Sequence, residues 1–152
     1  MKNFSNDLGE YGFSTEVRVR LSETDAVGIV FFGSFSNYFD VGRMDYLAHL
    51  GLNKLDGAVR DLIPGVVVAQ EANFRSSARY NDVLSVFVRI AEIGRSSYTF
   101  HIKVVNKRNR AAVADGAITL VWSDFDLKPV RVPDDVRAVI RSFEGGRLVE
   151  RS

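Results

Sequence analysis

Apolar and polar residues alternate along several stretches of the chain, and this period of two predicts β-strands. The first stretch covers residues 13–21, where Val17, Val19 and Leu21 alternate with charged residues. Four more strands are predicted in the second half, over residues 65–80, 82–93, 96–107 and 111–125. Only a few polar residues separate each of these from the next. We therefore expect them to be antiparallel neighbours, because a parallel crossover needs many more residues.

The pattern changes to a helical period after residue 33. Apolar residues and one glycine recur at helical spacing, at Phe35, Tyr38, Phe39, Gly42, Tyr46 and Leu50. This spacing predicts an amphipathic helix over residues 34–50, with Ser34 as its N-cap and Gly51 ending it. Residues 52–63 are expected to form a loop with a short helical turn. Pro133 is expected to open a second, C-terminal helix that ends at two glycines.

These elements predict an α+β domain made of a long helix, a five-stranded antiparallel sheet and a C-terminal helix. The apolar face of the long helix and one apolar face of the sheet must cover each other, so we expect the sheet to wrap around the helix. The domain is expected to span residues 13–145, with 1–12 as a flexible leader and 146–152 as a tail. The remaining face and the edge of the sheet favour association with a second protomer.

Composition narrows the possible functions. A chain of 152 residues suits one domain, and 20 basic against 19 acidic residues give no indication of a nucleic-acid or membrane-surface role. The absence of cysteine excludes thiolate chemistry, and two histidines, His49 and His101, are too few for a zinc cluster. No apolar run approaches the ~20 residues of a membrane span, and the N-terminus lacks the apolar core of a signal peptide. We expect a cytoplasmic protein that holds no metal.

Candidate chemistry is concentrated between the first strand and the long helix. Asp25 stands in the connecting turn, and the apolar run 29–32 predicts a poorly solvated setting, in which a carboxylate can attack a carbonyl or activate water. Backbone N–H groups at the helix start can stabilise an oxyanion, and Gly33 would let a substrate approach closely. The alternative is a purely structural loop, in which Asp25 organises a turn and Ser34 caps the helix.

Four other polar residues are weaker candidates. Arg43 can pair with Asp40, three residues earlier, which predicts a surface pair or a buried arginine tying helix to sheet more readily than a catalytic role. Glu71 lies in the middle of a predicted strand, which favours a solvated or interface position. Arg95, in a predicted hairpin, could meet an anionic substrate group, although exposed hairpin arginines are common. His101 is expected to be structural.

The run ETDAVGIVFFGSFSNYFDVGR, residues 23–43, resembles the signature of the 4-hydroxybenzoyl-CoA thioesterase family of hotdog-fold proteins. The matching positions are Glu23, Thr24, Asp25, Gly28, Ile29, Val30, Phe31, Phe32, Phe35, Asp40 and Arg43. Residues 77–100 also resemble the second and third strands of that family, and the whole resemblance covers about residues 14–140.

The resemblance implies a hotdog fold, assembled as a homodimer or homotetramer with the acyl pocket at the dimer interface. It implies hydrolysis of an acyl-CoA or acyl-carrier-protein thioester, with no cofactor beyond the coenzyme A of the substrate. The catalytic acid of the family falls on Asp25, as nucleophile or general base, and the oxyanion donor falls on the backbone amide of Phe32. The residues expected to contact substrate are Gly28, Val30, Phe31, Gly33, Phe35, Arg43, Glu71 and Arg95.

Three positions distinguish this chain from related branches. Phe32 and Leu21 stand where short-chain acyl-CoA thioesterases of the Tol–Pal type carry His and Tyr, so we expect a more apolar site, suited to aryl or medium-to-long acyl groups. A polyketide-associated branch carries Asn at the position of Asp25, and the aspartate argues against its chemistry. The alternatives are a polyketide-pathway thioesterase acting on acyl carrier protein and a non-catalytic acyl-CoA-binding protein. A hydratase ranks lower, because neither histidine is near Asp25 in sequence.

Overall fold

The structure, a computed structural model, describes residues 4–52 and 65–152. Its helices are α1 (Ser34–His49) and α2 (Asp134–Glu144). Its strands are β1 (Phe13–Arg18), β2 (Val66–Phe74), β3 (Val83–Ile93), β4 (Ser97–Asn106), β5 (Ala112–Val121) and β6 (Val149–Glu150). The predicted α+β class is confirmed. The loop predicted over residues 52–63 lies outside the described residues, except for Leu52.

The strands form one sheet in the order β1-β3-β4-β5-β2, and all four of these pairings are antiparallel. The two-residue β6 adds a sixth strand, parallel to β3, which the sequence pattern did not predict. The prediction that β2 and β3 are neighbours is wrong, because β2 lies beside β5 at the far edge. Residues 75–82 connect them by passing the start of α1, with backbone hydrogen bonds to Val113, Val30 and Val19 in turn.

The face of α1 predicted to be apolar packs against the inner face of the sheet. Phe39 and Tyr46 are fully buried there, and burial of each such side chain contributes roughly 2–3 kcal/mol. Gly42 lets the helix approach β3 closely, since a Cβ at this position would lie 2.7 Å from Val86 Cγ1 and 2.9 Å from Val88 Cγ2. The predicted arrangement of the long helix against the sheet is therefore confirmed.

The sequence predicted where α1 ends but not how it begins. Ser34 is the first helical residue rather than the N-cap, and its hydroxyl donates to the carbonyl of Glu23 at 3.0 Å, so the predicted cap is wrong. Gly51 ends the helix as predicted. Its φ is +71°, in the left-handed region that glycine adopts freely, and its N–H donates to the Ala48 carbonyl.

Of the residues before β1, which were predicted to be a leader, those described (4–12) contact the outer face of the sheet. Phe4 and Tyr11 are buried, and the Phe4 ring meets the His101 ring edge to face at 5.0 Å. Lys103 Nζ donates to Asn6 Oδ1 at 2.6 Å. These contacts cover part of the face that α1 leaves open.

Candidate active site

The segment between β1 and α1 is a tight loop whose shape is set by its own backbone hydrogen bonds. The Asp25 N–H donates to the Ile29 carbonyl at 2.8 Å, and the Gly28 N–H donates to the Asp25 carbonyl at 3.0 Å. Gly28 has a φ of +89°, a conformation that residues with a side chain rarely adopt. The glycine of the sequence motif is therefore needed for the turn that presents Asp25.

Asp25 both organises this turn and keeps one oxygen available. Its Oδ1 accepts the N–H of Val27 at 2.9 Å and that of Ile29 at 3.4 Å. Within the described part of the chain, Oδ2 takes part in no hydrogen bond. The structural interpretation of Asp25 as a turn residue is thus correct, and it is compatible with a reactive carboxylate because only one oxygen is engaged.

The poorly solvated setting predicted for Asp25 is absent in the single chain, where its side chain is exposed. Of the apolar residues downstream, Val30 enters the core, whereas Phe31 and Phe32 are 47% and 66% exposed. Phe32 lies in a turn, and both rings are largely open to solvent, so the apolar run does not keep water away from the Asp25 carboxylate.

Glu23 links the β1–α1 loop to the start of α1 through hydrogen bonds, although the sequence pattern gave it no role of its own. Its buried carboxylate accepts the backbone N–H of Arg20 at 2.8 Å, the Arg20 guanidinium and the Tyr38 hydroxyl at 3.0 Å. Its carbonyl accepts the Phe31 N–H and the Ser34 hydroxyl. Burial, and then the hydrogen bond to Glu23, raise the pKa of the Tyr38 phenol above its usual range.

Two backbone amides at the start of α1 have no acceptor among the described residues. The amide of Phe31 is engaged by Glu23, and those of Ser34 and Phe35 donate to carbonyls within the first turn. The amides of Phe32 and Gly33 remain. They lie at the positive end of the helix dipole, where negative charge is stabilised.

Gly33 was expected to make room for a substrate, but it lies against the Phe31 ring. A Cβ at this position would lie 2.6 Å from Cε1 of Phe31, so the glycine makes room for the Phe31 ring. The Phe31 and Phe32 rings are 4.6 Å apart, centroid to centroid. An aromatic surface therefore borders the two unpaired amides.

A cleft of about 420 Å³ opens beside Asp25. Its lining residues are Asp25, Ile29, Val30, Phe32, Phe35, Phe74, Arg75, Ser76, Ser77 and Ala78. The Phe74 ring lies 5.3 Å from that of Phe35 and 6.3 Å from that of Phe32. The structure thus brings together the expected acid Asp25 and the expected oxyanion-site residue Phe32. It also places two of the expected substrate contacts, Val30 and Phe35, in the same cleft. The wall from Phe74 to Ala78 was not identified from the sequence.

The polar part of this wall is an arginine held in place by a buried aspartate. Arg75 Nε and Nη2 donate to the two carboxylate oxygens of Asp115, each at 3.1 Å, and the Asn73 amide donates to the same carboxylate. Asp115 is buried, and it raises the pKa of the Arg75 guanidinium. Because the two charges offset each other, this side of the cleft offers directed N–H donors with little net charge.

Arg43 lies away from the cleft lining. Its Nε is 2.8 Å from Asp40 Oδ1, which confirms the predicted pair. The arginine is buried within α1 rather than on a polar surface, which corrects the predicted exposed position and matches the alternative of a structural arginine.

Glu71 and Arg95 also lie outside the cleft of a single chain. Glu71 is half-buried in the middle of β2, opposite Ala117 of β5. Arg95 is exposed in the β3–β4 hairpin, at the end of the sheet where β2 begins, whereas the cleft adjoins the end of β2 at Phe74. One protomer alone does not bring Arg95 to Asp25.

Within residues 4–52 and 65–152, no three His, Cys, Asp or Glu side chains are grouped closely enough to hold a metal ion. None of the helices described is long and apolar enough to cross a membrane.

Comparison with known proteins identifies relatives over most of the chain. Residues 19–140 match the model of the thioesterase-like superfamily. The acyl-CoA thioesterase YbgC of Haemophilus influenzae is 26% identical over 134 residues, covering 88% of this chain and 97% of that protein. The chloroplastic acyl-acyl carrier protein thioesterase ATL2 of Arabidopsis thaliana is 29% identical over 140 residues, covering 89% of this chain and 71% of that protein.

The fold has close counterparts among solved structures. A thioesterase from Thermus thermophilus, crystallised with coenzyme A and Zn, matches with a TM-score of 0.78 at 26% identity, covering 90% of this chain and 97% of that one. The predicted hotdog fold is confirmed by this match and by the match to the superfamily.

Proposed function

The chain belongs to the thioesterase-like superfamily, and from this premise we propose that it hydrolyses acyl-CoA thioesters at the cleft beside Asp25. One juxtaposition carries the proposal. Asp25, which keeps one oxygen unengaged, and Phe32 line the same cleft, and the helix-start amides of Phe32 and Gly33 have no acceptor among the described residues. Acyl transfer needs an attacking group and an oxyanion site, which these supply. The YbgC relative, named as an acyl-CoA thioesterase, supports the same reaction.

In the proposed mechanism, Asp25 attacks the thioester carbonyl or activates a water that attacks it. The amides of Phe32 and Gly33 bind the oxyanion as it forms, and the C–S bond breaks. On the water route Asp25 gives the proton that it took from water to the departing sulfur, and on the direct route coenzyme A leaves as the thiolate and takes a proton from solvent. On the direct route, water then hydrolyses the mixed anhydride and releases the acid. The hydrogen bonds from Val27 and Ile29 to Oδ1 hold the carboxylate so that Oδ2 is the reacting atom. No cofactor is needed beyond the coenzyme A of the substrate.

The cleft walls favour aryl or medium-to-long acyl groups. Phe32, Phe35 and Phe74 provide aromatic surface, and the Arg75–Asp115 pair adds little net charge. Delivery by an acyl carrier protein is the second candidate, since the Arabidopsis relative is named for that substrate. Arg43 is proposed to support the site from within α1 rather than to touch the substrate.

We further propose that the active form is a homodimer joined through β2, with a homotetramer as a dimer of such dimers, working in the cytoplasm. β2 is an edge strand of the described sheet, and its residues Val66, Val67 and Val68 are 40%, 47% and 58% exposed. An apolar run exposed on both faces of an edge strand favours pairing with another strand. Glu71, near the middle of β2, would then lie at the interface.

The proposal is tested by thiol release from benzoyl-, butyryl- and decanoyl-CoA, and from decanoyl carrier protein. We expect turnover of aryl- or decanoyl-CoA to exceed that of butyryl-CoA. Calorimetric binding of the same esters distinguishes an enzyme from a non-catalytic acyl-CoA-binding protein. Tight binding with no thiol released from any substrate would overturn the proposed hydrolysis.

A further inference from the structure

A second cavity lies at the same end of the sheet as the cleft, between two turns. Its volume is about 610 Å³, and it is lined by residues 80–83 and 106–108, which we call the basic pocket. One wall is the turn that leads into β3, and the other is the turn from β4 to β5. None of these residues has a role in the proposed mechanism.

A buried asparagine joins the two walls of the basic pocket. Asn106 is 4% exposed, and its side-chain amide donates to Asp82 Oδ2 at 3.3 Å. The N–H of Arg79 donates to the same carboxylate oxygen at 2.9 Å. On the other wall, Asn106 Oδ1 accepts the N–H of Arg108 at 3.0 Å. These hydrogen bonds set the shape of the pocket in the absence of a ligand, which lowers the cost of binding one.

The rim of the basic pocket offers an aromatic ring and several cations. Tyr80 is 58% exposed. The side chains of Arg79 and Arg108 are exposed, and neither forms an ion pair within the part of the chain that the structure describes. Lys107 adds a further charge, which Glu16 offsets at 2.7 Å. A chain with a net charge of only +1 therefore concentrates unpaired positive charge at this place.

These groups suit a phosphorylated adenine nucleotide. Guanidinium groups bind phosphate through directed N–H donors, and an exposed aromatic ring can stack on a base. Asp82 is the one carboxylate of the lining, and its Oδ1 takes part in no hydrogen bond among the described residues. This oxygen can accept the amino group of adenine. A ligand with both phosphate and an amino-bearing base fits this mixture better than a simple anion, which the carboxylate would repel.

The connection from β2 to β3 links the basic pocket to the cleft. Ala78 lines the cleft and Tyr80 lines the pocket, and their Cα atoms, two residues apart, are separated by at most about 7 Å. Between them, Arg79 forms a bridge with Ile29 of the β1–α1 loop. Its Nη1 lies 3.9 Å from the position that a Cβ would take on Gly28. A ligand that extends from the catalytic carboxylate to the basic pocket therefore passes this guanidinium.

We propose that the basic pocket binds the adenine nucleotide end of coenzyme A, with phosphates on Arg79 and Arg108 and the base on Tyr80. The inference rests on the proposed function, because the thioester at Asp25 fixes the other end of the ligand. It differs from the expectation for Arg95, which was predicted to meet an anionic substrate group. In the same chain Arg95 lies in the β3–β4 hairpin, at the opposite end of both strands from the basic pocket.

Calorimetric binding of coenzyme A tests the pocket without requiring turnover. Arg79→Ala/Arg108→Ala removes two exposed guanidinium groups and keeps the backbone hydrogen bonds of both residues, so folding is expected to be preserved. We expect the Kd for coenzyme A to rise roughly 10-fold. The matched control, Arg131→Ala/Arg151→Ala, removes two arginines of surface ion pairs at the opposite end of the sheet. It is expected to leave the Kd within about twofold of the natural value.

Other nucleotides distinguish a coenzyme A site from a general nucleotide site. We expect 3′-phospho-ADP to compete with coenzyme A for the natural chain, and ADP to bind more weakly than coenzyme A. Equal Kd values for ADP and coenzyme A would overturn the inference. So would a loss of coenzyme A binding in the control that equals the loss in Arg79→Ala/Arg108→Ala.

Kinetics test the same assignment on the thioester. Decanoyl-CoA and decanoyl-N-acetylcysteamine share the acyl group and the thioester, but only the first has a nucleotide. For Arg79→Ala/Arg108→Ala we expect kcat/KM for decanoyl-CoA to fall roughly 10-fold through KM, and kcat/KM for the truncated ester to change by less than about twofold. An equal fall for both esters would contradict the assignment. A fall for decanoyl-CoA in Arg95→Ala, with none in the pocket variant, would also contradict it, as would a fall confined to decanoyl carrier protein.

Failure of the proposed function would give a different result. A natural chain that releases no thiol from any of these esters contradicts the proposed hydrolysis. The Kd values for coenzyme A would then still decide whether the basic pocket holds its nucleotide.

Discussion

At the scale of single residues, Glu23 and Asp25 are two carboxylates in opposite surroundings. Glu23 is buried and accepts hydrogen bonds from Arg20 and Tyr38, whereas Asp25 is exposed and keeps Oδ2 unengaged within the described residues. Acids with contrasting environments commonly divide their roles in this way. Glu23 positions the loop and the helix start, and Asp25 is the group proposed to react.

The positioning role of Glu23 leads to a prediction for Glu23→Gln. The amide keeps the size of the side chain but loses its charge and one acceptor oxygen, so the partners of Glu23 lose part of their hydrogen bonding. We expect the free energy of unfolding to fall by about 1–3 kcal/mol and kcat to fall more than KM changes. Urea denaturation and steady-state thiol release measure the two effects.

Glu16→Gln is the matched control for Glu23→Gln. Glu16 forms an exposed ion pair with Lys107 at 2.7 Å, so its loss should cost less than about 1 kcal/mol and leave kcat unchanged. If Glu23→Gln were no more harmful than this control, the positioning role would be wrong.

The sequence predicted some residues of the site and missed others for a physical reason. Asp25 was predicted because it stands in a connection that is local in sequence, whereas Gly28 was named as a substrate contact from the family resemblance, and its role in the turn is seen only in the structure. Arg75 and Asp115 are 40 residues apart, and only the pairing of β2 with β5 brings them together. No periodicity in either strand indicates that pairing.

At the scale of elements, the sequence predicted α1 better than it predicted the order of the strands. The buried face of α1 follows from its 3.6-residue period, which depends on one segment alone. The order of the strands depends on which strands pair edge to edge, and these can be far apart in the sequence. The short break between β2 and β3 suggested a hairpin, but the connection crosses the start of α1 and places β2 at the edge.

The docking of β6 gives a pH-dependent prediction. Glu150 accepts from Arg141 at 2.8 and 2.6 Å and from Arg137 at 3.4 Å. The hydrogen bond from Arg141, opposed by desolvation and supported by the hydrogen bond from Arg137, lowers the pKa of Glu150 from 4.5 to about 2. Because the folded-state pKa is depressed, the stabilisation is present above pH 4.5 and is lost as the pH falls toward 2.

Glu150→Gln should therefore be less stable than the natural chain above about pH 5, and the difference should shrink as the pH falls toward 2. Guanidinium denaturation midpoints measured at constant ionic strength test this expectation. Glu144 acts in the opposite direction, since burial raises its pKa, and so it does not account for such a trend. A difference between the two proteins that is constant with pH would contradict the role assigned to Glu150.

At the scale of the whole molecule, one chain holds the parts of an acyl-transfer site but leaves them open to water. The cleft and the valines at the start of β2 are both exposed apolar surface. A two-fold pairing of β2 would bring these surfaces together. The poorly solvated setting predicted for Asp25 is absent from one chain, because an apolar run in the sequence does not determine which of its side chains shield the carboxylate.

Thiol release by Asp25→Asn tests the central claim most directly. The substitution keeps an Oδ1 acceptor for the turn and removes the reactive carboxylate, so we expect an unchanged melting temperature and a loss of kcat of about 10²- to 10⁴-fold with benzoyl- and decanoyl-CoA. Asp7→Asn, at another exposed aspartate that accepts a turn N–H, is the control and should retain the natural rate. Turnover by Asp25→Asn within about twofold of that rate would contradict the assignment of Asp25 as the catalytic acid.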